Sequence, residues 1–225
     1  MATHLDLEEQ EQLDQLKHFW KEYGNLITWV LIIALGAFGA FNAWNWWQHD
    51  QAVKAGAMFE ELDKAAQAGD VERATRVFAD LKERFPRTAF TQQGGLLAAK
   101  VQFEKGQADA ARATLTWVGE HASEAEYQTL AHLRLAAVLL EQKKYDEALK
   151  ELDAATAKEF APLVADRRGD VLLAQGKKDA AKAAYLQAWQ TLDAKVGYRT
   201  LVEAKLTALG AAPEADKAKS AEASK

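Results

Sequence analysis

The sequence predicts an all-α chain: a single N-terminal transmembrane helix followed by a helical-repeat solenoid of about four helix pairs plus a capping helix. Three observations predict it. The stretch Tyr23–His49 (YGNLITWVLIIALGAFGAFNAWNWWQH) contains no Asp, Glu, Lys or Arg, although Glu22 and Asp50 flank it. Past residue 50 the chain is rich in Ala, Leu, Glu, Lys and Gln, and the whole chain has three prolines, a helix-forming composition. Within that region a short turn motif recurs four times, at spacings of 37, 37 and 33 residues.

Taken in order, the chain divides into a cytoplasmic N-terminal segment (1–22), a membrane span (23–49), a repeat domain (50–210) and a tail without periodicity (211–225). Residues 3–22 carry Leu5, Leu13, Leu16, Phe19 or Trp20 and Tyr23 at helical steps, which predicts a short amphipathic helix leading into the membrane. Its acidic residues Glu8, Glu9, Glu11 and Asp14 read as a solvated face. From Leu26 to Trp44 is 19 residues, roughly 28 Å as a helix, about the hydrocarbon thickness of a bilayer. Trp20, Tyr23 and Trp29 lie near one end and Trp44, Trp46 and Trp47 at the other, where amphipathic rings prefer the headgroup level. A cleaved signal peptide would need a basic start and a shorter apolar core, and an interfacial helix would need a polar face along its length. The segment has neither, and it reads as an anchor. Lys17 and Lys21 against Lys54 favour a cytoplasmic N-terminus. Gly36, Gly39, Ala40 and Ala43 put small residues on neighbouring faces, where a partner helix could approach closely.

The repeated turns are Gly69-Asp-Val-Glu72-Arg-Ala74, Gly106-Gln-Ala-Asp109-Ala-Ala111, Lys143-Lys-Tyr-Asp146-Glu-Ala148 and Gly176-Lys-Lys-Asp179-Ala-Ala181. They superimpose as G-x-x-[DE]-x-A with one Lys for Gly. A period near 34 with two helices per unit is the signature of tetratricopeptide-like repeats. Glycine ends the first helix in the left-handed region, the acid sits in the first turn of the second, and the alanine lets the pair approach. Seven residues before the turns stand Leu62, Ala99, Ala136 and Gly169; nine after stand Phe78, Leu115, Leu152 and Tyr185. The predicted pairs are 51–85, 88–121, 124–158 and 160–194, with Pro86 and Pro162 near junctions and a cap at about 198–209. The tail Ala211–Lys225 is alanine and charge, which predicts disorder.

The run EEQEQLDQLKHFWKEYGNLITWV, the tryptophan-rich span exit, and DRRGDVLLAQGKKDAAKAAYLQA (Asp166–Ala188) resemble the YfgM-type, or ancillary SecYEG translocon subunit, family. The resemblance implies an inner-membrane protein of Gram-negative bacteria with a cytoplasmic N-terminus and a periplasmic repeat domain. It also implies two partners, the SecYEG translocon and the periplasmic chaperone PpiD.

No catalytic constellation stands out. The chain has no cysteine, which excludes disulfides, thiolate nucleophiles and Cys-ligated metals. His4, His18, His49, His121 and His132 are scattered without metal-ligand spacing. No phosphate-binding loop or nucleophile elbow occurs, and a net charge of −5 argues against nucleic acid. No catalytic, cofactor or metal residue is therefore assigned, and no small-molecule substrate is evident. Gly94-Gly95 reads as a close-packing point, and Asp166, Arg167, Arg168 and Asp170 read as local ion pairs. The first helices of such repeats line a concave face that binds segments of other proteins. Lys100, Arg134 and Arg167 fall on first helices and could give that face a positive stripe. Terminal-carboxylate clamping is disfavoured, because no Asn follows Asn45. Two functions stay open: a non-enzymatic protein docked at the translocon, or a repeat scaffold of an unrelated cell-envelope complex.

Overall fold

The computed structural model describes residues 7–193 and 195–213, with side chains from residue 11 onward. Among these residues there are nine α-helices and no strand. The chain divides into two units, residues 1–51 and 52–225.

The first unit lies on helix α1, Leu7–Gln67, which also continues into the second. From residue 7 onward the N-terminal segment, the apolar stretch and the first helix of the first repeat are therefore one helix of 61 residues, not three elements. The reason is local: between residues 7 and 67 there is no proline, and isolated glycines cost a helix only about 1 kcal/mol each. Apolar side chains through the stretch, such as Leu31, Ile33, Leu35, Phe38 and Phe41, are exposed. It is the one described helix long and apolar enough to cross a membrane. Two of its polar side chains are satisfied by its own backbone, which a lipid surrounding demands: Thr28 Oγ1 donates to the Gly24 carbonyl at 2.7 Å and Asn42 Nδ2 to Phe38 at 2.9 Å. Aromatic pairs stand towards both ends, Phe19 with Tyr23 and Trp44 with Trp47, each with centroids 5.2 Å apart.

The second unit is the repeat stack. The last turns of α1 pair with α2 (Val71–Arg84), α3 (Ala89–Glu104) with α4 (Ala108–His121), α5 (Ala125–Glu141) with α6 (Tyr145–Ala154), and α7 (Ala161–Ala174) with α8 (Lys178–Thr191); α9 (Tyr198–Ala208) follows. At each turn the motif's first residue has positive φ: Gly69 65°, Gly106 77°, Lys143 59° and Gly176 78°. Its N–H bonds back three residues, and the next N–H bonds back five, at 2.8–3.0 Å in every case, pairing carbonyls the helix end would otherwise leave open. That second residue is also the N-cap of the following helix, so a three-residue link joins each pair. Gly210, φ 71°, closes α9 in the same way, through Thr207 and Leu206. The capping helix thus has the ending of a repeat's first helix.

The companion positions explain the packing. Ala74, Ala111, Ala148 and Ala181 are all 0 % exposed. A Cβ on Gly169 would overlap the Tyr185 ring, whereas the equivalent positions of the middle repeats hold Ala99 and Ala136 with the smaller Leu115 and Leu152; the glycine makes room for the tyrosine. Gly95 likewise has no room for a Cβ beside Val118 and Phe78, as the close-packing reading requires. The motif acids have a further use. Gln142 Nε2 donates to Asp109 at 3.3 Å and Gln175 Nε2 to Asp146 at 3.0 Å, so the ends of α5 and α7 are tied to the acid of the preceding repeat. Of the tail, Ala211 packs on the core and Pro213 is buried; residues 214–225 lie outside the described set.

Size matching at the fourth repeat is testable by a mutant cycle. Gly169→Ala should cost on the order of 1–3 kcal/mol by overpacking. In Gly169→Ala/Tyr185→Leu, which copies the pairing of the middle repeats, the cost should be clearly less than the sum of the two single changes. Additive denaturation energies would mean that the ring does not limit residue 169.

Candidate interaction surfaces

Nine residues before the four turns the first helices carry Glu60, Leu97, Arg134 and Arg167, an equivalent row. Lys100 falls outside that row, at the position equivalent to Asp170. All three cations of the anticipated stripe have local engagements. Lys100 Nζ stands 3.8 Å from Glu104, both largely exposed. Arg134 donates to the Leu96 carbonyl on the neighbouring first helix at 2.9 Å, and partial burial lowers its pKa without neutralising a guanidinium at physiological pH. Arg167 donates to Asp170 at 3.2 Å. The stripe therefore comprises two residues in register and one displaced, interleaved with half-buried apolar side chains.

Sequence reasoning missed that apolar component. Sixteen residues before the turns stand Val53, Phe90, Tyr127 and Phe160, and thirteen before stand Leu130 and Leu163 in the third and fourth repeats. The aromatic members and both leucines pack partly buried against the core. Phe90 lies against Phe59 and over Gly56, and the Tyr127 hydroxyl accepts from Gln93 Nε2 at 2.6 Å. Aligning the repeats on their turns and reading every column would have shown this row.

In the membrane unit, Gly36, Gly39, Ala40 and Ala43 are all exposed, and a Cβ built on either glycine meets nothing within 4 Å. Of the histidines, His132 bonds Glu151 at 2.7 Å with Gly119 beneath its ring, and His121 stacks on Trp117 at 4.9 Å. Both serve packing. No described group of three His, Cys, Asp or Glu side chains is placed to hold a metal ion.

The charged run on α7 divides. Arg167–Asp170 is the local pair anticipated, while Arg168 reaches Asp153 on α6. Asp166, 1 % exposed, instead accepts both oxygens' bonds from Lys205 of α9 at 2.8 and 2.9 Å, and from the Tyr198 hydroxyl at 2.6 Å. Lys205 also donates to Asp170 at 2.6 Å, and the Tyr185 hydroxyl donates to the same Asp170 oxygen at 2.8 Å. Burial first, and then these carboxylates, raise both phenols well above the ordinary tyrosine value near 10. A raised folded-state pKa stabilises the fold while the phenol is neutral, so that contribution is whole below about pH 10 and is lost as pH climbs above it. Denaturation midpoints measured from pH 8 to 12 should therefore fall above about pH 10, less steeply in Tyr185→Phe/Tyr198→Phe. Parallel profiles would show that the phenols are not held in this way.

Comparison with known proteins places these features in context. Residues 17–211 match the family model of a tetratricopeptide repeat-like domain. The repeat fold is shared with a crystal structure of kinesin light chain repeats from Podosopora anserina, at a TM-score of 0.56 and 16 % identity, covering 75 % of this chain and 90 % of that one. Proteins named ancillary SecYEG translocon subunit are similar to this chain, the first over enough of it to include both span and repeats. The one from Neisseria gonorrhoeae is 33 % identical over 93 % of this chain and 100 % of its own; the one from Escherichia coli is 29 % identical over 79 % and 85 %. That from Haemophilus influenzae is 28 % identical over 82 % and 90 %. Repeat turns, an apolar anchor helix and similarity running through both lead to one conclusion: the chain belongs to the YfgM-type ancillary SecYEG translocon subunit family.

Proposed function

We propose that this protein is a non-enzymatic, membrane-anchored interaction protein that docks at the SecYEG translocon and brings a periplasmic chaperone, PpiD by family resemblance, to proteins emerging from it. The observation that carries this reading is the similarity to translocon subunits through anchor and repeat stack alike. A relative sharing only the repeats would support a scaffold of any kind. One sharing the anchor as well supports the same membrane setting.

In this reading the span crosses the inner membrane once, with the N-terminus cytoplasmic and the repeat domain periplasmic, in keeping with Lys17 and Lys21 on the near side. Binding is the activity. The first-helix row of Leu97, Arg134 and Arg167, with Lys100 beside it, meets partner protein, and the Gly36, Gly39, Ala40 and Ala43 faces seat a partner helix in the membrane. Restricting the stack to the bilayer raises its effective concentration near other membrane proteins without any new contact.

Protease added to spheroplasts should digest the repeat domain; protection until lysis would reverse the topology. The full-length protein should co-purify with SecYEG and the chaperone from solubilised membranes. Replacing residues 23–49 with an unrelated span should weaken the translocon association several-fold and spare part of the chaperone binding. Undiminished recovery of SecYEG would reduce the anchor to a tether, and recovery of neither partner by the parent would favour a scaffold of another envelope complex.

A further inference from the structure

Among the described residues Asp166 is the one charged side chain in the buried set, and it occupies a position the rest of the stack fills with an apolar residue. Ten residues before the turns stand Phe59, Leu96, Leu133 and then Asp166. The helix that covers it departs from the repeat pattern at the matching places. Five before the turns the three preceding first helices carry Val101, Val138 and Val171, but α9 carries Lys205; twelve before they carry Gly94, Ala131 and Val164, but α9 carries Tyr198. Both exceptional residues of α9 bond the exceptional residue of α7.

We infer that the Asp166–Asp170 pair is a charge-addressed socket that fixes α9 in a single register as the end of the stack. A carboxylate taken out of water and left unpaired is strongly unfavourable, so the edge of the fourth repeat accepts only a helix that delivers partners to it. Lys205 and Tyr198 lie seven residues apart, two helical turns, and both reach Asp166; sliding α9 by one turn removes both. Asp170 is held within the fourth repeat by Tyr185 and Arg167, which fixes the second half of the socket before α9 arrives, and Lys205 of α9 then bonds it as well. The apolar layer beneath, Ala165, Ala181, Tyr185, Ala188, Val202 and Leu206, would tolerate more than one register. At the other repeat edges the carboxylates that cross between repeats, Asp109, Asp146 and Asp153, are exposed, and the connecting helix hairpins set the order. At the last edge no further helix hairpin is described, and charge supplies the specification. A single buried polar group fixing register is the best-attested use of such groups.

Hydrogen exchange of the full-length chain in detergent micelles, read by mass spectrometry, tests the socket. Lys205→Val, which gives α9 the residue of α3, α5 and α7, should speed exchange over Tyr198–Ala208 at least tenfold and leave Ala89–Glu141 unchanged. The milder Tyr198→Phe should speed the same peptide about threefold. In Asp166→Leu/Lys205→Val, with an apolar edge like the others, protection of α7 and α8 should return to the parent level while α9 stays at least threefold faster. Unchanged α9 exchange in Lys205→Val overturns the proposal. Protection lost evenly across all helices also overturns it, since the cluster would then be general core. So does full recovery of α9 in the double variant, since shape alone would then fix the helix.

Discussion

A helix that ends leaves its last carbonyls without donors, and in a stack of short helices that cost recurs at every turn. Here it is met the same way five times, by a residue in the left-handed region whose own N–H and the next one turn back onto the helix. Because the second of these residues is already the N-cap of the following helix at four of the turns, the geometry that closes one helix also launches the next at a fixed angle. Everything else in the repeat domain depends on that angle. It brings the motif alanines to zero exposure, aligns large against small residues, and carries the glutamines preceding Lys143 and Gly176 to the acids of the neighbouring repeat.

Such a stack yields extended surfaces. Repetition of the turn repeats the outer face of each first helix, so that Leu97, Arg134 and Arg167 form one row and Phe90, Tyr127 and Phe160 another. Under the proposed function a row of this kind meets an extended partner at several points of modest strength, which suits an adaptor. The membrane anchor complements it by limiting where those weak contacts are tried.

Much of the fold was legible because backbone geometry leaves a short-range trace. Glycine at three turns, an acid three residues on and alanine five on located the pairs, and Lys143, at φ 59°, shows that the position matters more than the glycine. Gly210 escaped because the motif was sought with its following helix, and the ending alone is a weaker signal. The continuity of α1 escaped for another reason: composition shifts sharply near residue 50, whereas the backbone responds to the absence of proline and not to which solvent surrounds the side chains. The partners of Asp166 were out of reach for local reasoning, being 32 and 39 residues away, so its charge read as one more member of a helical ion-pair run. The same holds for Arg134, whose partner is a backbone carbonyl 38 residues upstream and carries no mark in the sequence.

The central claim is that the first-helix face of this anchored stack is where partners bind. Site-specific photocrosslinking in intact membranes addresses it most directly, with the probe placed in turn at Leu97, Leu130 and Leu163 on that face and at Arg76 and Lys150 on the second helices. The account predicts discrete adducts to translocon or chaperone from the first set and few from the second. Adducts arising equally from both sets, or mainly from Arg76 and Lys150, would contradict it.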